Sequence, residues 1–191
     1  MNFLQICQRL RVEADLTSSA STSPTTVVSQ TGELARIVNW AASAYTDLQT
    51  SKRDWRWLRS TFSGPTVSGT DTYAYDATSW VDGGTAAAIT RFRHWWPQDG
   101  EGCDNLKSYL TSAGVAGEQY LIFLPWANFR DIYKKGTQTN GPPVHFTIDP
   151  TNRIVLGPKP DAIYTISGEY QKSAQVLALD ADTPEMPTDY H

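Results

Sequence analysis

Apolar residues recur with a helical period over the first fifty positions. Phe3, Cys7, Leu10 and Ala14 fall at i, i+4, i+7 and i+11, which predicts a short helix over about 2–14 with Arg9 and Arg11 off its apolar stripe. Ten of the fifteen residues in TSSASTSPTTVVSQT (17–31) are Ser or Thr, so this stretch has little to bury and reads as a linker over about 17–30. Thr31 then suits an N-cap, with Glu33 in the first turn facing the positive end of the helix dipole. Leu34, Ile37, Val38, Ala41, Tyr45 and Leu48 form a second stripe, predicting a helix over about 31–52 that pairs with the first.

Beyond Asp54 the period shortens towards two. DWRWLRSTFS from Asp54, TYAYDA (72–77) and AAAITRFRHWW (86–96) alternate as strands do, the last with Ile89, Arg91, Arg93 and Trp95 on one face and Phe92, His94 and Trp96 on the other. Residues 105–112 suit either a strand or a short helix. PWANFRDIYKKG reads as a helix over about 125–135, with Pro125 in its first turn and Gly136 as its stop. VHFTID (144–149) and RIVLGP (153–158) flank the turn residues Asp149-Pro150-Thr151-Asn152, and AIYTISGEYQKS (162–173) is a longer strand. Helices segregated from antiparallel strands predict an α+β fold. Its parts are a helical hairpin-like segment (1–54), a β-rich sheet or sandwich segment (55–173) and an extended acidic arm (174–191).

Composition narrows the functional classes. The chain has 191 residues, enough to bury a core without disulfides or metals, and its two cysteines, Cys7 and Cys103, are too few for a disulfide scaffold or a cysteine-based zinc module. The N-terminus lacks the apolar core and cleavage site of a signal peptide, and no apolar run is long enough to span a membrane, so a protein made in a reducing cytoplasm is expected. The net charge is −4, and all of it falls in residues 141–191, where Asp180, Asp182, Glu185 and Asp189 crowd the end. A net acidic chain is not built to coat nucleic acid.

Catalytic material is thin. The three histidines are His94, His145 and His191, and neither a Cys103–His94 nor a Cys103–His145 pair carries a protease-like local signature. HExxH, Walker A and GxSxG are absent, and the terminal acidic residues lack calcium-loop spacing. The reading is therefore of a non-enzymatic protein with no catalytic residues, cofactor or metal. Arg and Trp cluster in WRWLR (55–59) and RFRHWW (91–96), and both residue types are enriched at protein interfaces. A rival reading is a nucleic-acid- or carbohydrate-binding β-module that stacks its ligand on these Trp/Arg strand faces.

The order of segments resembles a known family. NFLQICQRLRVEAD, a polar gap, then VVSQTGELARIVNWAASAYTDLQTSKRDWRWLRSTF are followed by FRHWWPQ, SYLTSAGVAGEQYLIFLPWANFRDIYKKG and FTIDPTNRIVLGPKPDAIYTISGEYQKSAQVLALDADTPEMPTDYH. This layout is similar to tailed-bacteriophage head–tail adaptor (connector) proteins, the tail tubular protein A-like or phage adaptor class. The resemblance implies a structural virion protein of the neck, made in the host bacterial cytoplasm. It implies a ring, generally of twelve copies, beneath the portal protein, extending the channel for double-stranded DNA and offering a platform to a downstream tail or nozzle protein, with no membrane partner. Members usually continue past the segment matching MPTDYH into a further helix, whereas this sequence stops at His191. A ring needs broad self-complementary surfaces, so Trp80, Trp95, Trp96, Trp126, Arg91 and Arg93 are expected at subunit or portal contacts, with Asp180, Asp182 and Glu185 on a docking arm.

Overall fold

A computed structural model describes residues 1–14, 23–77 and 79–187, so part of the Ser/Thr-rich linker and Asp189 lie outside the described residues. The chain divides into two compact units, Met1–Leu58 with Ser173–His191 and Arg59–Lys172 between them.

The first unit is built on α1 (Phe3–Glu13) and α2 (Gly32–Ser51). Asn2 and Gln5 start α1 with a reciprocal capping box, each side chain accepting the other's backbone N–H at 2.9 and 3.0 Å. The two stripes meet in a core of Phe3, Cys7, Val27, Ile37, Ala41, Tyr45 and Leu177. Full burial of a Phe, Ile or Leu of this kind contributes about 1.5–3 kcal/mol. Arg11 departs from expectation: it is buried, because Phe3, Cys7 and Arg11 step by four along one side of the helix.

The segment after residue 172 has no regular secondary structure through residue 178 and belongs to this unit. Leu177 enters the helical core, and Phe3 N–H donates to the Asp182 carbonyl at 2.7 Å. A buried side chain completes the joint. The Gln49 amide donates to the Gln175 carbonyl at 2.9 Å and accepts the Gln175 N–H at 2.7 Å, as a neighbouring strand would. Beside it, the Tyr45 hydroxyl donates to the Gln175 side chain at 2.8 Å and accepts the Glu185 N–H at 3.1 Å.

Among the described residues the second unit holds ten strands and one α-helix: β1 (Arg59–Pro65), β2 (Thr72–Tyr73), β3 (Val81–Asp82), β4 (His94–Trp96), β5 (Lys107–Leu110), β6 (Gln119–Tyr120), β7 (Ile122–Phe123), α3 (Trp126–Tyr133), β8 (His145–Ile148), β9 (Ile154–Gly157) and β10 (Tyr164–Gln171). One sheet runs β3-β1-β10-β5-β6 with β4 also on β10, and the other runs β2-β9-β8-β7. All pairings are antiparallel except β7 with β8, and the architecture is α+β, as the sequence predicts. Both sheets contribute to one core, with Phe62, Ile166 and Tyr170 from the first and Phe146, Ile154 and Leu156 from the second.

The Trp80 indole lies at the centre of that core. It stacks on Phe62 at 5.1 Å and on Tyr73 at 5.4 Å, and its Nε1–H donates to the Pro65 carbonyl at 3.1 Å. Gly64 makes room for it, since a Cβ there would meet the Trp80 ring at 2.1 Å.

Several predicted strands are shorter in the structure. The WRWLR segment is a single 3-10 turn, Arg56–Leu58, leading into β1. Trp55 is drawn back to the preceding helix, where its Nε1–H donates to the Leu48 carbonyl at 3.0 Å. Residues 86–93 form no strand: Ala88 makes a single antiparallel bridge to Val81, and continuous pairing starts at His94, although Ile89 is buried.

Candidate functional site

The residues expected at contacts fall into three environments. Trp80 and Trp95 are 1 % and 4 % exposed and pack edge-to-face at 5.9 Å. They belong to the core of their own chain and present no surface to a neighbour. The physical reason is the aromatic cluster itself: Phe62, Phe92 and Tyr170 surround Trp95 at 4.6–6.4 Å, and its Nε1–H donates to the Asn152 carbonyl at 3.0 Å.

Trp96, Trp126, Arg91 and Arg93 are half-buried. Trp96 points away from Trp95, as successive strand residues do. The Arg59 guanidinium covers its ring at 4.1 Å and also approaches Glu169 at 3.5 Å, while the Trp96 Nε1–H donates to Gln171 at 3.2 Å. Trp126 opens α3 and stacks on Phe129 in the same unit. The Arg93 backbone closes the edge of the core, its N–H donating to the Gln171 carbonyl at 2.8 Å and its carbonyl accepting from Asn152 at 3.1 Å.

The acidic residues form the third group. Asp180 accepts from the Thr26 hydroxyl at 3.1 Å and from the Val27 N–H. Asp182 accepts two backbone N–H groups, from Ala178 and Leu179, both at 2.7 Å, and these hold its carboxyl below the usual carboxylate range. Both carboxylates thus fix the turn of their own chain. The Glu185 side chain is exposed.

The histidine and cysteine positions do not converge on a reactive pair. His145 Nδ1 lies 2.7 Å from the Tyr133 hydroxyl. Cys103 is exposed on a loop shaped by Asp99, which accepts the Glu101 and Cys103 N–H groups at 2.9 and 2.8 Å. The Cys7 thiol is pushed up to about 11 by burial and by the nearby Asp180 carboxylate, which leaves it a packing residue. Among the described residues there is no group of three or more His, Cys, Asp or Glu side chains able to hold a metal, and no helix is long and apolar enough to cross a membrane.

A buried charge holds the second unit's first hairpin. Asp82 accepts from the Tyr170 hydroxyl, from Ser60 Oγ at 3.0 Å and from the Gly84 and Thr85 N–H groups at 2.8 and 3.1 Å. Burial alone would raise its pKa, but these hydrogen bonds outweigh it and the net shift is downward. Tyr170 is raised in turn, by burial first and then by its bond to Asp82.

Two surface features of the first unit escaped the reading of the sequence. Trp40 is 58 % exposed, whereas the other six tryptophans are buried or half-buried. Its signal was its place off the apolar stripe of an amphipathic helix. Separately, an apolar groove of about 380 Å³ runs between α1 and α2, with Ile6 and Leu10 on one wall, Ala44 and Leu48 on the other, and the Arg9–Glu13 ion pair (2.6 Å) at its rim.

Family comparison bears on what these surfaces do. The family model for SU10 adaptor protein matches residues 1–191. The chain belongs to the SU10 adaptor family. No curated protein matches it. Membership makes it a phage adaptor, a structural protein. An SU10 adaptor protein needs rigid scaffolding and contact surfaces more than a reactive pocket, and the aromatic core supplies the former.

Proposed function

We propose that this SU10 adaptor protein forms a closed ring of about a dozen copies beneath the portal protein, extending the channel for double-stranded DNA and presenting a platform to a downstream tail or nozzle protein. The whole-chain family match carries this reading. A net charge of −4 supports it, because a channel wall without excess cation lets DNA pass without binding phosphate. The chain is made in the host cytoplasm and ends in the virion neck. Contacts in the ring use the half-buried Trp96 and Trp126, Arg91, Arg93 and the exposed Glu185.

The rival β-module draws less support. Stacking of bases or sugars needs bare aromatic faces, yet Trp80 and Trp95 are buried and Arg59 covers Trp96. Imaging of assembled particles tests the proposal. The expected result is a ring of this chain between portal and tail; its absence from the neck, or its presence only as free monomer, would overturn it.

A further inference from the structure

We infer that the second unit carries an oxyanion site, a polar cleft in which Lys134 and Lys159 receive one phosphate group. The inference goes beyond the ring proposed above and does not rest on it.

The cleft measures about 360 Å³, and its lining brings together Asp71, Tyr133, Lys134, Thr137 and Lys159. Its walls are tied down. The Asp71 carbonyl accepts the Leu156 N–H at 2.8 Å, and the Lys159 carbonyl accepts the Gly141 N–H at 2.8 Å. Tyr133 ends α3 with its hydroxyl 2.7 Å from His145 Nδ1 and its ring against Gly157, where a Cβ would meet it at 2.7 Å. Gly136 then turns the chain with a φ of +68°, a left-handed conformation that suits glycine. A frame set before the ligand arrives lowers the ordering cost of binding.

The charges in the cleft do not cancel. Lys134 Nζ donates to Asp71 Oδ2 at 2.7 Å and the Thr72 hydroxyl donates to Oδ1 at 2.9 Å, so both carboxylate oxygens are engaged. Burial alone would raise the Asp71 pKa, but these bonds and the charge of Lys159 outweigh it and hold the carboxyl below its usual value. Lys159 is half-buried, and its ammonium meets no hydrogen-bond or ion-pair partner among the described residues. Two cations against one anion leave an excess of positive charge in a recess, where attraction for an anion is stronger than on an open surface.

The donors select phosphate over carboxylate. Lys134 keeps N–H groups beyond the one given to Asp71, Lys159 keeps all of its own, and the Thr137 hydroxyl donates to no group among the described residues. A planar carboxylate is matched best by the fixed fork of an arginine, and no arginine lines the cleft among the described residues. Ammonium groups with rotating N–H bonds suit a tetrahedral group whose oxygens point in several directions. Two sources share this chemistry, the phosphodiester of duplex DNA and free inorganic phosphate.

Amide chemical shifts of the full, isotope-labelled chain test the site. Sodium phosphate, titrated at constant ionic strength, is expected to move the Gly136, Thr137 and Lys159 amides and to leave Gly114 in place. Lys159→Gln is expected to weaken this response about tenfold or more with the melting temperature unchanged, and Lys134→Gln likewise. Lys135→Gln removes an exposed lysine outside the lining and is expected to change it by less than about twofold. A short blunt-ended DNA duplex is then titrated against the same amides. Shifts that weaken with salt at a log–log slope of about −0.9, the value for one phosphate, identify DNA as the source; shifts with phosphate and none with duplex identify the free ion. Still amides with both anions overturn the site. Equal loss in Lys159→Gln and Lys135→Gln also overturns it, because the response would then follow surface charge and not the cleft. None of these outcomes bears on ring formation, which imaging of particles decides.

Discussion

The two units of this protein spend their aromatic residues in opposite ways. In Arg59–Lys172 the rings face inward: Trp80 lies between Phe62 and Tyr73, and Trp95 fills the space beside Tyr170. In the unit formed by the chain ends, the core is small, with Phe3 and Tyr45 as its rings, a polar joint at Gln49 holds the returning segment, and Trp40 stays in water. The first arrangement makes a rigid body that is complete by itself. The second leaves a large aromatic side chain on its surface. The same residue type thus belongs to the core in one unit and to the surface in the other, and burial tells them apart.

The largest test of this contrast is Trp80→Ala, expected to cost about 3–5 kcal/mol of stability in urea denaturation because the cavity it leaves is walled by rings that cannot collapse into it. A cost below about 1 kcal/mol would show that the aromatic core is not what holds the unit. Next, Gln49→Ala removes both bonds to the Gln175 backbone and strands its buried polar groups, for about 1–3 kcal/mol. Hydrogen exchange should report it as faster exchange of the Gln175 amide with the amides of β10 unchanged; equal acceleration in both would mean that the units unfold as one.

Acid should probe the second unit through Asp82. Its pKa is lowered in the folded state from 3.8, so the stability it contributes is present above that value and is lost as pH falls through the lower folded pKa. Asp149 and Asp71 shift in the same direction, so stability falls on acidification below about pH 4. Asp82→Asn is expected to be less stable at pH 7 by about 1–3 kcal/mol and to show a shallower decline below pH 4. An unchanged acid limb would remove Asp82 from the account. The smallest effect is expected from Arg59→Ala, at most about 1 kcal/mol, because the cation–π contact and ion pair it loses are partly in water. Tryptophan emission should still shift red as Trp96 loses its cover; no shift would mean that water already reaches the ring.

The long, strongly periodic elements were legible from the sequence. The stripe from Leu34 to Leu48 predicts 31–52 and the helix spans Gly32–Ser51; the alternation over 162–173 predicts a strand, and β10 spans Tyr164–Gln171. Residues 86–93 were read as strand for a reason that is itself informative. Ile89 and Trp95 do turn inward, but Asp82 draws the Gly84 and Thr85 backbone into a turn, Ala88 makes only a single bridge to Val81, and a strand begins at His94. The contact surface was harder to read. Trp80 and Trp95 look like surplus aromatics in a one-dimensional list, since nothing in it says that Gly64 clears a slot for an indole. Trp40 was missed, although a large apolar side chain off the stripe of an amphipathic helix is a signal the sequence carries.

The first unit is made of both chain ends, and β1 and β10 pair with Arg59 opposite Gln171, so the two strands that leave and re-enter it run side by side. That arrangement sets an order of birth. During synthesis α1 and α2 emerge first, and Leu177 and Gln175, which close their core, follow only after β10 has been made. Gln49 therefore waits for a partner translated 126 positions later, and the helical unit completes its joint after the last strand of the β-rich unit has been translated.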